Sequence, residues 1–345
     1  MSKSYTGKDH SSFGEFDLIN RLSEFADAKK SAGIHSVLPR IGDDTAVVST
    51  PSGELLLTTD ALVDGVHFRS VDERWHDVGW KCAVSNLSDI ASMGGFPDHA
   101  LVTIGIPKDF SHEIFTEIYT GMHEAFSRFG GQIVGGDVVS SPNLFVNLAL
   151  TGHPSQGRDG TSAWLTRAEA RPGDLVCVTG PLGGAAGGLK LILAGETDKS
   201  SQALTLIDRH FRPTPRVEIG QKLVGTGARC AIDISDGLVG DLEKIAAASS
   251  VGINVEMSDV PLPDELFAEF GNSAIDLALG GGEDYELAFT VPESDINEVL
   301  EKVGPDITVI GRVNDTGVQS GEVKILDTSG SEYQLGQKGW DHLNA

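Results

Sequence analysis

The chain has 345 residues, more than one hydrophobic core usually serves, so two domains are expected. Hydrophobic residues make up 40% and charged residues 22%, an ordinary globular balance that excludes a disordered or fibrous chain. Acidic side chains outnumber basic ones by 50 to 26, and a formal charge of −24 argues against nucleic acid and anionic membranes as partners.

The first ten residues, Met1 to His10, are polar, and no apolar run approaches the ~20 residues of a membrane span, so the cytoplasm is the expected compartment. Phe16, Leu18, Ile19, Leu22, Phe25 and Ala26 recur at helical spacing and predict an amphipathic helix over Glu15–Ala28. Strands follow at Ala46–Ser49 and Leu55–Thr58 around a Pro51-Ser52-Gly53 turn, then a long helix, Asp77–Met93, stopped by Gly94-Gly95. His99–Ile106 reads as a strand, Ser111–Phe129 as a helix ended by Gly130-Gly131, and Leu144–Thr151 as another strand. The pattern turns polar and glycine-bearing between Gly152 and Ala170, which places a boundary there: an N-terminal domain over 1–155 and a C-terminal domain over 156–345. The second half alternates strands (Asp174–Thr179, Ala231–Ile234, Tyr285–Val291, Ile307–Val313) with helices near Leu189, Leu204 and Val217 and over Leu238–Ala248. Cys82, Cys177 and Cys230 are odd in number and form no C-x-x-C pair, so they read as reduced core residues.

The common phosphate-binding signatures fail letter by letter. Gly183-x-x-x-x-Gly188 continues as Leu189-Lys190-Leu191 and so is no P-loop, Gly225-x-Gly227 is followed by Cys230 where a dinucleotide fold wants its third Gly, and no H-R-D with D-F-G is present. The Gly180–Gly188 stretch reads better as a tight strand-to-helix turn than as a phosphate cradle. Instead, aspartates recur at strand ends or in glycine-flanked turns: Gly42-Asp43-Asp44, Thr58-Thr59-Asp60, Asn86-Leu87-Ser88-Asp89, Gly135-Gly136-Asp137 and Asp233-Ile234-Ser235-Asp236-Gly237. Any one of these is an ordinary turn or cap. Together they suit magnesium, which takes carboxylate oxygens, water and substrate phosphates, whereas zinc would want His and Cys, and His112-Glu113 lacks a second His four residues on. A cleft of like charges about 4 Å apart costs on the order of 4 kcal/mol per pair at an effective dielectric of 20, so it needs cations, and ATP enters such a cleft only through bridging metals. Arg167, just past the boundary, has the chemistry to reach a phosphate across it.

The ordered set, from Gly14-Glu15-Phe16 through Ile41–Asp44, Thr58–Asp60, Asn86–Asp89, Gly135–Asp137, Leu165-Thr166-Arg167 and Arg212-Pro213 to Asp233–Gly237 and Gly281–Glu286, resembles the thiamine-monophosphate kinase family. That family lies in the superfamily of aminoimidazole ribonucleotide synthetase and selenophosphate synthetase. The resemblance covers nearly the whole chain. It implies an α/β (α+β), two-domain synthetase-type fold, with an N-terminal mixed sheet that pairs in a homodimer near the ATP and a C-terminal α/β domain that completes the site. It implies several Mg2+ ions, held by Asp44, Thr58, Thr59, Asp60, Asp89, Asp137, Asp233 and Asp236, with Asp44, Asp60 and Asp236 at the catalytic centre. Nucleotide contacts fall on Tyr119, Gly136, Asp137, Arg167 and Ser235, and contacts to the acceptor, thiamine monophosphate, on His67, Glu283 and Trp340. A Trp stacks on a cationic ring, a Glu offsets its charge, and a His contacts the phosphate. The implied reaction is direct in-line attack of the acceptor phosphate on the γ-phosphorus of ATP; a phosphate monoester, with a second pKa of about 6, needs no strong general base.

Selenophosphate synthetase would want a reactive residue near its N-terminus, but the first cysteine is Cys82 in a predicted helix. The carbamoyl-dehydrating hydrogenase-maturation enzymes would want a C-terminal Cys, whereas this chain ends His342-Leu343-Asn344-Ala345. Aminoimidazole ribonucleotide synthetase is separated chiefly by Gly281–Glu286, and a metal-dependent phosphohydrolase or a non-catalytic cation binder only by its products.

Overall fold

In the computed structural model the described residues are Ile19 and 42–340, apart from Glu73, Asp109, 196–198 and 315–320. The predicted helix Glu15–Ala28 lies outside them, Ile19 excepted.

The first half is a five-stranded mixed sheet in the order β1-β2-β5-β3-β4, built from Ala46–Thr50, Gly53–Val63, Phe96–Ile106 (β3), Gln132–Ser140 (β4) and Phe145–His153 (β5). β1 and β2 form a hairpin in which the Thr50 hydroxyl donates to the Gly53 carbonyl at 2.7 Å. Burial alternates along β2, with Leu56 and Leu62 on the inner face and Leu57, Thr59 and Ala61 on the outer, as a strand's period of two requires. Thr58 and Asp60 therefore point inward and the Thr59 side chain points away from them.

The second half is a six-stranded sheet in the order β13-β10-β12-β8-β11-β9, from Leu175–Val178 (β8), Cys230–Asp233 (β9), Gly252–Glu256 (β10), Leu287–Val291 (β11), Thr308–Asn314 (β12) and Val323–Leu326 (β13). Ser155–Gln156 (β6) and Ser162–Ala163 (β7) make a small ribbon between the sheets in sequence. Among the described residues, the predicted strands and helices of both halves are present. The Gly135-Gly136-Asp137 segment is a correction: it lies within edge strand β4, paired in parallel with β3, rather than in a turn. Glycine and aspartate disfavour strands, but the backbone passes so close to β3 that a Cβ on Gly136 would meet the Val102 carbonyl at 1.9 Å.

Helix α1, Trp75–Ser92, packs on β2, β5 and β9, and therefore on both sheets. It is buried on nearly every side, and Trp80, Cys82, Val84, Leu87 and Ile90 join one core with Leu148 and Leu150 of the first sheet and Cys177, Ala231 and Phe289 of the second. Helix α2, His112–Phe129, lies against α1 at glycine contacts: a Cβ on Gly79 would meet Ile118 O, and one on Gly121 would meet His76 O, each at 1.8 Å. The Trp80 indole donates to Pro213 O at 2.8 Å and carries the Arg212 guanidinium on its face at 4.4 Å, which gives the Arg212-Pro213 motif a packing role. The other face of the second sheet buries Leu238, Leu242 and Ile245 of helix α6, Leu238–Ser249. Helices α3 (Gly184–Ala194), α4 (Ser201–Phe211) and α5 (Val217–Leu223) connect β8 to β9, and α7 (Asp264–Phe270), α8 (Ala274–Gly280) and α9 (Ile296–Val303) follow. The three cysteines are free and buried.

Candidate active site

A helix buried all round must satisfy every polar group it carries. Along α1, Asp77, Lys81, Ser85, Ser88 and Ser92 recur at helical spacing as a buried polar stripe, with Asp89 at its edge, and the site is built against it. Asp44 from the loop before β1, Asp89 from α1 and Asp233 from the end of β9 bring carboxylate oxygens within 4.8 Å of one another. Asp60, from β2, is within hydrogen-bond reach of Asp89 and Ser85, and the Thr58 hydroxyl donates to Asp89.

Crowding shows in the proton affinities. Asp89 and Asp233 are held well above the usual carboxylate range, first by burial and then by neighbouring carboxylates: Asp60, Asp233 and Asp44 around Asp89, Asp44 and Asp241 around Asp233. Asp60 is raised, chiefly by burial, and Asp43 is pushed up to about 7 by burial and by Asp44. The buried Asp44 Oδ2 has no hydrogen-bond partner among the described residues. Clustered acids, oxygen-only donors and an orphaned carboxylate oxygen fit a hard divalent cation such as magnesium.

Cationic side chains flank the cluster. Arg167 pairs with Asp44, and its Nη1 donates to Gly42 O at 3.0 Å, so it ties the Gly42-Asp43-Asp44 loop to the second half. Lys244 of α6 lies 2.7 Å from Asp236 Oδ2 and 2.6 Å from Asp241 Oδ1. The other Asp241 oxygen accepts from the backbone N–H of Ser235, Asp236 and Gly237 at 3.0–3.1 Å, which shapes the Ile-Ser-Asp-Gly loop. Asp241 and Lys244 were not among the sequence candidates; their spacing to Asp236 on a helix start was the available signal.

Glu283, His67 and Trp340 gather on the other side of that loop. The Glu283 backbone N–H donates to Ser235 O at 2.8 Å, and the Trp340 backbone N–H to Asp236 O at 3.1 Å; the Trp340 residue is 44% exposed. His67 Nδ1 accepts from Val63 N at 3.1 Å, and its ring is near enough to favour the Glu283 anion. Glu283 is also held by Lys81 and His210, two residues sequence reasoning passed over. Glu283 and Tyr285 both have positive φ, 67° and 53°, so side chains along this turn fan out. Asp284 accepts from Gly183 N and Ala185 N and caps α3, and Glu286 takes Arg216 and the Thr179 hydroxyl. The Gly180–Gly188 turn thus has its helix N-terminus filled by a carboxylate of the chain.

Other candidates stand apart from the carboxylate cluster. Gly136 and Asp137 are exposed on β4, with Asp137 Oδ1 accepting from Val138 N at 2.9 Å. Tyr119 stacks on Phe115, centroids 4.5 Å apart, and lines an open cavity of about 480 Å³ with Thr116, His123 and Ile133 of β4. The Thr59 hydroxyl donates to Leu148 O at 3.1 Å, on the outer face of β2.

Two α/β halves closed on an oxygen-only acidic cleft define an AIR synthase-type protein. Residues 42–153 match the family described as AIR synthase related protein, N-terminal domain, and residues 171–324 match its C-terminal domain. The thiamine-monophosphate kinase of Aquifex aeolicus is 37% identical over 96% of this chain and 98% of its own length. That of Escherichia coli K12 is 35% identical over the same shares. A solved structure described as AaThiL complexed with AMPPCP and TMP superposes with a TM-score of 0.82 at 34% identity, covering 98% of this chain and all of the other. The chain belongs to the thiamine-monophosphate kinase family.

Proposed function

We propose that this chain transfers the γ-phosphoryl group of ATP to thiamine monophosphate, giving thiamine diphosphate and ADP. The observation that carries the reading is full-length similarity to thiamine-monophosphate kinases, in a chain whose own fold converges Asp44, Asp89 and Asp233. Asp44, Asp60, Asp89, Asp233 and Asp236 would hold Mg2+ ions, with Thr58 supporting Asp89. When bound, these ions neutralise phosphate charge and draw the transferring group into line. Thr59 and Asp137 join as ligands only through backbone or nucleotide contacts, given where their side chains lie.

The nucleotide base rests in the Tyr119 cavity, with Gly136 and Asp137 further along β4 toward the phosphates. Arg167 and the Ser235 loop receive the phosphate tail from the opposite side. Glu283 and Trp340 take the cationic ring of the acceptor, and His67 its phosphate. The acceptor oxygen is already an anion at neutral pH, so the chain's task is alignment and charge compensation rather than proton abstraction.

By strand register Leu57, Leu101 and Val139 lie on one exposed side of the first sheet, an apolar outer face that supports pairing of two sheets in a homodimer. The division at 155/156 is supported by the separate sheets and by family matches that end at 153 and resume at 171. Among the described residues no helix is long and apolar enough to cross a membrane; the cytoplasm, where ATP is available, is the proposed compartment.

Purified protein incubated with ATP, Mg2+ and thiamine monophosphate, followed by separation of products, tests the reading. Thiamine diphosphate formed in step with ADP is expected. Free phosphate released without acceptor would replace the kinase by a hydrolase.

A further inference from the structure

The Lys81 ammonium is among the most deeply buried charges in the molecule, 4% exposed in the middle of α1. A buried ammonium is tolerated only with a partner, and Lys81 Nζ lies 2.9 Å from Glu283 Oε2. His210, on α4 and also buried, places Nδ1 3.2 Å from the same oxygen, a contact that lacks hydrogen-bond geometry and packs beside the Lys81 pair. Two groups from two helices thus converge on one oxygen of a residue that the backbone holds at φ 67°, a conformation a glutamate adopts only when its surroundings enforce it. Glu283 Oε1 has no hydrogen bond or ion pair among the described residues, and the side chain is 26% exposed, so this edge of the carboxylate stays accessible in a site that also feels His67.

We propose that Lys81 and His210 are positioning residues for acceptor recognition: Lys81 pins Oε2 of Glu283, His210 packs against that oxygen and limits where it can go, and together they present Oε1, as a fixed anion, to the positively charged ring of the acceptor. The inference rests on the thiamine-monophosphate reading of the site, in which Glu283 meets a cationic ring. A flexible glutamate in the same place would lose rotamer freedom on every binding event and would exchange its water shell for the ligand. Holding it in advance removes the rotamer cost from binding and leaves only one oxygen to exchange its water. Burial alone would raise the Glu283 carboxyl, yet the Lys81 ammonium beside it brings it below the ordinary range, which keeps the anion in place without a ligand.

The test is steady-state kinetics on Lys81→Met, His210→Gln and Glu283→Gln, and on the two double variants that include Glu283→Gln, with thermal unfolding of each. Lys81→Met and His210→Gln should raise KM for thiamine monophosphate about tenfold while KM for ATP stays within about twofold. In the Glu283→Gln background neither change should add to the loss, because both act through that carboxylate. His210→Gln keeps a neutral hydrogen-bonding side chain, so it reports even where Lys81→Met fails to fold. Equal losses for both substrates, or additive losses in the double variants, would overturn the inference while wild-type turnover upheld the functional reading. A folded wild type that does not phosphorylate thiamine monophosphate would overturn both.

Discussion

Asp89 is expected to trade stability for chemistry. Its carboxyl is held well above the usual range by burial and by Asp60, Asp233 and Asp44, so its ionised form weakens the metal-free fold. Asp89→Asn should therefore raise the unfolding temperature in chelator while cutting turnover at least about 100-fold, through loss of a metal ligand. Calorimetry beside initial rates checks this; parallel losses of stability and activity would make Asp89 a structural residue. His210 gives a second residue-scale expectation. Burial, then Lys81, depresses its imidazole to about 4, so the folded state resists a proton that the unfolded chain accepts from about pH 6.5 downward. Stability linked to this group is complete above that pH and is lost as pH falls toward 4, by at most about 3 kcal/mol. The carboxylate cluster slopes the opposite way in the same window, so the difference between wild type and His210→Gln in urea melts isolates it. The aspartates were legible in sequence because metal chemistry needs short acids beside turns. Lys81 was not, because a helical lysine reads as solvated surface; only its setting, between Trp80 and Cys82 in a helix without a polar outer face, marks it.

The Ile-Ser-Asp-Gly loop depends on the helix that follows it. Asp241 accepts three backbone N–H groups from that loop and pairs with Lys244, so Asp241→Ala would orphan one buried and two half-buried backbone donors at once and take a carboxylate partner from the largely buried Lys244 ammonium. A loss of about 3 kcal/mol or more in denaturant unfolding is expected, with activity impaired even in the folded fraction. A change under about 1 kcal/mol would show that water replaces the carboxylate. Elements with strong periodicity, such as α2 and α6, were readable from their apolar spacing. β4 was not, because Gly135, Gly136 and Asp137 all argue against a strand, and tertiary pairing with β3 overrides that preference. The short elements between β9 and β13 were likewise missed where their apolar runs fell below helical or strand length, as in β10 and α7.

The apolar outer face of the first sheet belongs to the scale of the assembly. Val139 is 37% exposed and Leu101 54% in a single chain, on the same face of neighbouring strands. Val139→Glu combined with Leu101→Lys should shift sedimentation from dimer to monomer and weaken ATP binding more than acceptor binding, since β4 carries Gly136 and Asp137. A wild type that sediments as a monomer would remove the dimer from the proposal. No periodicity announced this face, because an outer strand surface looks alike in sequence whether water or a second copy covers it.

Helix α1 is also a ruler. Lys81, proposed to anchor the acceptor end through Glu283, and Asp89, proposed to serve the phosphate end, project from one buried helix, eight residues apart and so separated by roughly 12 Å along its axis. Neither can drift relative to the other without breaking the shared core. Acceptor length thereby becomes a selection criterion in its own right: a molecule with the right ring and a shortened tail satisfies one end of the scale and leaves the other empty.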